Sequence, residues 1–322
     1  MRTRRVAIIT DDPGWHGARL RAAFAARGVE TRYLSLTQCR FDLTAPHGIV
    51  MPDFAPGLPD GVFVRGVPGG TLEQVVLRLD VLHALREMGV PVYNDARAIE
   101  RTVDKAMTSF LLHRAGLATP RTWACESAEQ ARALVRQETG QGRELVMKPL
   151  FGSQGKGLRR LRGAADLPDL PEYGGVYYLQ EFIDTGPGRW HDWRVLVIGG
   201  RARAAMVRHG AHWITNRAQG ARCERAVLEG ELVRLAEEAV RIIGIDYAGV
   251  DLIRDGGGRW YVIEVNGIPA WMGLQGVSAL DLAQCLVDDF LAKLSRNGLK
   301  TFPAPSASPE EGVAQGFLEA AP

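Results

Sequence analysis

The most constraining feature of this sequence is a regular alternation of strand and helix patterns over its first ninety residues. Short runs rich in β-branched residues at 6–10, 30–34, 61–65 and 90–93 alternate with helical stretches at 17–27 and 72–85. Helices inserted between successive strands are typical of βαβ units, whose strands run parallel. The chain is therefore predicted to begin with an α/β domain. Its second helix is expected to bury one apolar stripe, formed by Leu72, Val75, Val76, Leu79, Leu82 and Leu85.

The pattern changes after residue 95, where we place the first domain boundary, so that the N-terminal domain spans residues 1–95. Residues 98–115 are predicted to form one helix that stops at Gly116, within a small α+β domain spanning 96–179. A hairpin turning at Gly199 and Gly200, with a helix beneath it, marks a C-terminal domain at 180–296. Residues 297–322, rich in Pro, Ala and Ser, are predicted to be a disordered tail. The fold class is thus α/β combined with α+β, and the helix beneath the hairpin should bury Leu232, Leu235, Ala236, Ala239, Val240 and Ile243.

Overall charge and cysteine usage exclude several classes of protein. Lysine and arginine number 39 against 37 acidic residues, so the net charge of +2 gives no electrostatic basis for binding nucleic acid or an anionic membrane. The apolar run at 6–9 is too short for a signal peptide or a membrane span, and we predict a cytoplasmic protein. The four cysteines include no C-x-x-C pair, which indicates neither a zinc site nor a disulfide framework.

Two predicted strands near the C-terminal end, at 247–254 and 260–266, carry oxygen ligands on one face. Glu264 and Asn266 share that face because side chains repeat every two residues along a strand. A two-residue turn at Gly257 and Gly258 would place Asp251 directly opposite Glu264. Such a set suits Mg²⁺, and the alternative is a solvated polar face of an edge hairpin. The apolar neighbours favour the metal, because they suggest burial of the other face by Val250, Leu252, Ile253, Val262, Ile263 and Val265.

A lysine at a strand end and a glycine-rich segment follow one another in the middle of the chain. Lys148 ends the apolar run 145–148, and glycines in the segment at 151–157 would let backbone N–H groups approach an anion closely. We interpret this pair as a phosphate site, while a flexible connector is the alternative. Gln180 and Glu181 then stand between apolar residues, where they suit either an adenine edge or an ordinary strand end. The candidate residues of the glycine-rich segment are Gly152, Ser153, Gly155, Lys156 and Gly157.

Taken in order, these motifs resemble the ATP-grasp superfamily and, within it, the RimK-like glutamate ligases. The resemblance covers about residues 60 to 294 and implies an ATP-grasp fold with an N-terminal parallel-sheet, pre-ATP-grasp domain. Two positions depart from the family pattern: Ile214 stands where a basic residue is usual, and Ala270 where a glycine is usual. Arg208 and Arg217 are candidates to replace the missing basic group. The resemblance rests on Asp104-Lys105, Met147-Lys148-Pro149, Gln180-Glu181-Phe182-Ile183, Asp192-Trp193-Arg194, Thr215-Asn216, Gly249-Val250-Asp251 and Glu264-Val265-Asn266.

The resemblance also implies roles for individual residues. Lys105 and Lys148 would contact the ATP phosphates together with the glycine-rich segment. Glu181 and Phe182, flanked by Gln180 and Ile183, would form the adenine hinge, and Asp192 would lie near the ribose or the hinge. The expected ligands of Mg²⁺, or Mn²⁺, are Asp251, Glu264 and Asn266.

The implied reaction is an ATP-dependent ligation through an acyl phosphate. Arg194, Arg208 and Asn216 would orient the reacting groups, although arginines on a strand are often simply exposed. The implied substrates are L-glutamate and a carboxylate acceptor on a coenzyme, peptide or protein tail, with a slight preference for tetrahydromethanopterin or methanofuran coenzymes. A carboxylate kinase and a non-catalytic ATP-binding module remain alternatives, and related ligases often form homo-oligomers. Arg65 and the loop 11–16 are predicted acceptor contacts, with an ordinary surface loop as the alternative.

Overall fold

The structure, a computed structural model, describes residues 2–152, 155–186 and 190–297. Ser153 and the predicted tail beyond residue 297 lie outside the described residues. The chain begins with the predicted parallel sheet, in the strand order β2-β1-β5-β6. A short hairpin of two further strands interrupts the alternation. The elements of this region are β1 (Arg5–Ile9), α1 (Gly14–Ala25), β2 (Glu30–Leu34), β3 (Arg40–Phe41), β4 (Ile49–Val50), β5 (Gly61–Val64), α2 (Leu72–Glu87) and β6 (Val92–Tyr93).

The apolar stripe predicted for α2 is only half buried. Leu82 and Leu85 pack into the core under the sheet, whereas Leu72 is 76% exposed and Val76 is 46% exposed. The fully buried side chains of α2 all lie in its C-terminal half. The prediction is thus confirmed for Leu82 and Leu85 and wrong for Leu72 and Val76, because helical spacing does not show how far along a helix the core extends.

The single helix predicted at 98–115 is instead two helices, α3 (Ala96–Val103) and α4 (Lys105–Arg114). Asp104 separates them because its side chain caps the second helix and accepts hydrogen bonds from the N–H groups of Ala106 at 2.9 Å and Met107 at 3.0 Å. The prediction was wrong because it treated this aspartate as part of one continuous helix. As a consequence, Lys105 is the first residue of α4.

An antiparallel sheet forms the central part of the chain, in the order β7-β10-β8-β9. A helix packs on it through a small apolar core that includes Val135 and Leu179. Because β10 pairs with both β7 and β8, the strand that carries Gln180 belongs to this sheet. The elements are β7 (Thr122–Cys125), α5 (Ala128–Thr139), β8 (Leu145–Lys148), β9 (Arg159–Leu161) and β10 (Tyr177–Glu181).

The C-terminal sheet has five antiparallel strands in the order β13-β12-β11-β14-β15. Its long hairpin turns at Gly199 and Gly200, as predicted, with positive φ angles of 58° and 73° that suit glycine. The six residues predicted to be buried by the helix beneath it are its buried residues. The elements are β11 (Trp190–Ile198), β12 (Arg201–Gly210), β13 (Arg222–Arg225), α6 (Gly230–Ile243), β14 (Tyr247–Arg254), β15 (Trp260–Asn266), α7 (Met272–Val277) and α8 (Leu282–Asn297).

The N-terminal and C-terminal sheets share one hydrophobic core. The Tyr93 ring stacks on Tyr247 at 5.4 Å between centroids, and Phe290 of α8 packs against Tyr93 at 5.7 Å. Buried Asn94 donates to the Tyr247 carbonyl at 2.8 Å and accepts from the Asp246 N–H at 3.0 Å. These contacts fix the edge of the parallel sheet beside the β14–β15 hairpin. The mixture of α/β and α+β structure is confirmed, while the proposed domain boundaries stay predictions.

None of the helices in the described ranges combines the length and apolar character needed to cross a membrane.

Candidate active site

A single cleft between the central and C-terminal sheets collects most of the residues singled out from the sequence. Gly157, Arg194 and Asn266 adjoin it without lining it, and Ser153 lies outside the described residues. The predicted residues that line the cleft are Lys105, Lys148, Gly152, Gly155, Lys156, Gln180, Glu181, Phe182, Ile183, Asp192, Arg208, Asn216, Asp251 and Glu264.

The β14–β15 hairpin places Asp251 directly opposite Glu264, as predicted. The predicted two-residue turn was wrong, however. The turn contains residues 256–258, closed by a 2.9 Å hydrogen bond from the Asp255 N–H to the Arg259 carbonyl. A β-bulge next to Asp251 offsets the extra turn residue and restores the register, so that Leu252 pairs with Val262.

Two apolar side chains of this hairpin face the cleft, contrary to the prediction. Ile253 and Ile263 line it, although both were expected on the opposite, buried face. Ile253 has the same alternation as Asp251, and Ile263 is the extra residue of the bulge. The other four apolar neighbours pack into the core against α6, as expected: Val250, Leu252, Val262 and Val265.

Asp251 belongs to a buried network of paired charges. Arg194 lies opposite Asp251 on the neighbouring strand and donates two hydrogen bonds to its carboxylate, both 2.6 Å long. Arg208 lies 3.2 Å from the same carboxylate and also donates to Asp192, its cross-strand partner, at 2.7 Å. Cross-strand neighbours are close enough for such contacts. Arg208 is only 2% exposed and Asp251 only 3%, so this network is nearly dry.

Protonation equilibria in this network differ between the two carboxylates. Burial alone would raise the pKa of Asp251, but the charges of Arg194 and Arg208 hold it below its ordinary value. At Asp192 burial dominates over the charge of Arg208, and the pKa is raised. Asp251 is therefore a stable anion whose oxygens are already bonded to arginines. A metal ion bound at Asp251 would share this carboxylate with those two side chains.

The other side of the cleft contains two lysines close to Glu264. The Lys105 Nζ lies 4.0 Å from the Glu264 carboxylate and donates to the Gly152 carbonyl at 2.8 Å. Lys148 donates to the Gln180 side chain at 2.5 Å. Burial lowers the pKa of Lys148 to about 8, and it also lowers the pKa of Lys105. Because these cations are only partly compensated, an anionic group in the cleft would be stabilised.

The donor set opposite the lysines fits a hard divalent cation. Burial and the neighbouring Asp251 charge raise the pKa of Glu264, so a bound cation would relieve an unfavourable pair. Asn266 donates its amide N–H to the Gly249 carbonyl at 3.3 Å, which leaves its oxygen as a possible ligand. Within the described ranges no group of three or more His, Cys, Asp or Glu side chains could hold a metal. A cation here would therefore need ligands from a bound phosphate as well.

A family model described as a RimK-like ATP-grasp domain matches residues 102–290. The chain belongs to this family. The tetrahydromethanopterin:alpha-L-glutamate ligase of Methanococcus maripaludis is 35% identical over 235 residues, which cover 71% of this chain and 78% of that protein. The probable alpha-L-glutamate ligase of Teredinibacter turnerae is 31% identical over 303 residues, 91% of this chain and 96% of that protein.

Solved structures show the same fold. The ATP-grasp ligase PsnB, complexed with a minimal precursor, Mg and ADP, has a TM-score of 0.68 at 22% identity and covers 90% of this chain and 98% of its own. The D-cycloserine synthetase DcsG has a TM-score of 0.67 at 16% identity, and the match covers 90% of this chain and 99% of that chain. The predicted ATP-grasp fold and the prediction of an ATP-dependent carbon–nitrogen ligase are both confirmed.

In this RimK-like ligase the segment after β10 forms the far end of the cleft. The Phe182 N–H donates to the Glu144 carbonyl at 2.9 Å, and the Phe182 ring lies edge-on to Trp213 at 6.0 Å. The Arg160 guanidinium lies over the Phe182 ring, 3.8 Å from its centroid. Val146, Leu158 and Trp213 also line the cleft, and none of them was predicted to do so. Their apolar character gave no signal that distinguished them from core residues.

The glycine-rich segment of the ligase closes on residues 214–216. Gly155 has a φ of +71°, and a Cβ there would lie 2.6 Å from the Asn216 side-chain oxygen and 2.8 Å from Ile214. Only glycine fits both this backbone and this approach. Ile214, at the usually basic position, thus contacts the segment through a methyl group. Of the two proposed replacements, Arg208 is enclosed by carboxylates, and the stem of Arg217 lies beside Gly273.

Proposed function

We propose that this ligase joins L-glutamate to the carboxylate of an acceptor through an acyl phosphate, using ATP with Mg²⁺ or Mn²⁺. The observation that carries the proposal is the convergence of Lys105, Lys148 and Glu264 in one cleft with the glycine-rich segment. The names of the relatives, which are glutamate ligases over most of their length, support glutamate as the amine. The relatives from methanogens support a pterin-type coenzyme as one acceptor to test.

The proposed first step is attack of an acceptor carboxylate oxygen on the γ-phosphorus of ATP. A new O–P bond forms, the bond to the bridging oxygen breaks, and ADP leaves. Lys105 and Lys148 would bind phosphate oxygens, because both are desolvated cations at the rim of the glycine-rich segment. Asp251, Glu264 and Asn266 would hold the metal, whose charge would offset that of the phosphates.

In the second step the glutamate nitrogen attacks the acyl carbon and loses a proton. A C–N bond forms, the bond from the acyl carbon to the phosphate oxygen breaks, and inorganic phosphate leaves. Arg194 and Asn216 are proposed to orient the acyl phosphate. Arg208, enclosed between Asp192 and Asp251, is proposed to act by holding Asp251 in place. The adenine would lie along residues 180–183. The contact of Asp192 with the ribose or hinge, the cytoplasmic location and a homo-oligomeric state stay predictions.

The test is ADP release by the purified full chain with ATP, Mg²⁺ and L-glutamate, screened against carboxylate acceptors that include tetrahydromethanopterin. Mass spectrometry of the acceptor shows whether glutamyl groups are added. We expect ADP release that requires both substrates, and an acceptor mass increased by whole glutamyl units. ADP release without glutamate incorporation would instead indicate a carboxylate kinase or another amine. If the chain binds ATP but hydrolyses it with none of the acceptors tested, it would be a non-catalytic binding module.

A further inference from the structure

Arg65 is a partly buried cation without a partner in the described structure. It follows β5 at the carboxyl edge of the parallel sheet, where its N–H donates to the Ile9 carbonyl at 2.9 Å. Its side-chain Nε is buried and has no hydrogen-bond partner, and no carboxylate of the described ranges forms an ion pair with it. A partly buried guanidinium with one buried, unpaired N–H and no anionic partner is a candidate for binding an anion from outside the chain.

The acidic loop that follows β1 does not neutralise Arg65. The Asp11 carboxylate accepts a hydrogen bond from the Ser35 hydroxyl, and Asp12 lies beside Gly14 at the start of α1. Parallel α/β sheets bind their ligands at this edge, outside the carboxyl ends of the strands. Arg65 is thus placed where a ligand is expected and is left uncompensated by its own loop.

Three aromatic side chains form a wall beside this edge. Trp15, His16 and Trp271 contact one another edge-on, with centroid distances of 5.1, 4.9 and 5.0 Å. The His16 Nε2 accepts a 3.1 Å hydrogen bond from the Trp271 backbone N–H, which leaves Nδ1 as the protonated nitrogen of a neutral ring. Burial and the charge of Arg65 lower the pKa of His16 to about 4, so the ring is neutral at pH 7.

Trp271 adds an unused donor to the wall. The side chain is fully buried, and its indole Nε1–H has no hydrogen-bond partner. A buried indole N–H normally finds an acceptor. The wall therefore contains one unpaired buried donor, and its partly buried members, Trp15 and His16, lie at the same sheet edge as Arg65. Those are the features that recognise a carboxylate attached to an aliphatic chain.

The segment 267–271 connects this edge to the proposed metal site. Trp271 lies five residues after Asn266. Within this segment Pro269 packs closely on Gly249, since a Cβ added to Gly249 would lie 3.0 Å from the Pro269 Cβ. Five residues span at most about 18 Å. Asn94 anchors the beginning of the segment through its hydrogen bond to the Gly267 carbonyl. The segment therefore limits the separation of Asn266 and Trp271 to that length.

We infer that Arg65, with Trp271 and His16, binds the non-reacting carboxylate of a glutamyl group in this ligase. The inference rests on the proposed function, since both the incoming L-glutamate and a glutamate-terminated acceptor carry a carboxylate that does not react. One guanidinium matches one carboxylate in charge. The nucleotide phosphates, in contrast, are assigned to Lys105 and Lys148, which line the cleft, whereas Arg65 does not line it.

Equilibrium binding to the full chain, saturated with Mg²⁺ and ADP, tests this inference by calorimetry. The two probes are L-glutamate, which represents the amine substrate, and N-acetyl-L-glutamate, whose blocked nitrogen resembles the glutamyl end of an acceptor. We expect one of them to bind, and Arg65→Gln to weaken that binding at least about tenfold, the effect of losing a charge-assisted hydrogen bond. Arg65→Lys should recover part of the affinity, and Trp271→Phe should weaken binding less.

The matched control is Arg4→Gln, which removes the same charge at the opposite, amino edge of the same sheet, where Arg4 is exposed. It should bind probe and ADP like the original chain. Unchanged probe affinity in Arg65→Gln, or no binding of either probe to the original chain, would overturn the inference. Neither result bears on glutamyl transfer itself, which the mass measurement decides separately. If Arg65→Gln also loses ADP binding, the inference is tested instead by the probe affinities of Arg65→Lys and Trp271→Phe.

Discussion

Two regions of the molecule differ in how their charged side chains are compensated. One is the metal-side face of the cleft, which carries Asp192, Arg194, Arg208 and Asp251, and the other is the carboxyl edge of the parallel sheet. On the first, Arg194 and Arg208 neutralise Asp192 and Asp251 through cross-strand hydrogen bonds. At the second, Arg65 has no anionic partner in the described structure. The difference indicates that the network fixes the site's geometry before any ligand binds, whereas the sheet edge is completed by its ligand.

The two sheet types explain this difference. In an antiparallel sheet, residues directly opposite one another can pair their charges along the strands, as Asp192 does with Arg208. The carboxyl ends of parallel strands instead open into loops, where a side chain such as Arg65 has no cross-strand partner of opposite charge. Glu264 lies between these extremes, because its lysine neighbours compensate its charge only in part.

The largest effect is expected at Glu264. Glu264→Gln keeps the shape of the side chain but removes the charge that would hold the metal, so turnover should fall by about a thousandfold. Steady-state ADP release measures the loss, and thermal unfolding should show that the fold is retained. Glu224→Gln, on the edge strand β13 and outside the cleft, is the control and should keep normal turnover. Near-normal turnover of Glu264→Gln would remove this carboxylate from the proposed metal site.

The second largest effect is expected on stability. It tests whether the buried ion pairs of the charge network stabilise the fold more than surface ion pairs do. Asp192→Asn leaves the buried Arg208 with only one carboxylate, and the free energy of unfolding should fall by about 3 kcal/mol. Urea denaturation measures this change. Glu238→Gln, which removes the charge from surface pairs with Arg234 and Arg241 on α6, should cost no more than about 1 kcal/mol. Equal losses in both variants would contradict a special role for the buried network.

Much of the metal-side face could be predicted from sequence, because strand alternation and helical spacing are local patterns. The pairing of Asp251 with Glu264 was predicted correctly, although for a turn that is one residue too short. The bulge that corrects the register has no sequence signature, and it also brought Ile263 into the cleft. Asp104, in contrast, carried a readable signal, since aspartate is a preferred helix cap.

The sheet edge was predictable only in outline. Arg65 was recognised as a candidate contact because it ends a strand of the parallel sheet. The roles of Trp271 and Asn94 could not be predicted, because their partners lie 255 and 153 residues away along the chain. Contacts between such distant segments leave no periodic pattern in the sequence. The part of the site that depends on them can therefore be identified only from the folded structure.

The smallest predicted effect concerns His16 at the sheet edge, whose pKa is lowered first by burial and then by the charge of Arg65. His16 has a folded-state pKa of about 4, below the ordinary 6.5, so between these values the unfolded chain binds a proton that the native chain does not. Its contribution to stability is therefore complete above pH 6.5 and is lost as the pH falls towards 4. We expect a loss of about 1 to 2 kcal/mol, smaller than the full shift would give because the ring is partly exposed.

Urea denaturation across pH 4 to 7 measures this contribution as the difference between the original chain and His16→Gln. His47→Gln, which replaces an exposed histidine of the same region, should keep the original pH dependence. Because the charge of Arg65 contributes to the shift after burial, Arg65→Gln should reduce the His16 contribution without abolishing it. If the original chain and His16→Gln lose stability in parallel, His16 is not held neutral beside Arg65, and the contrast between the two regions weakens accordingly.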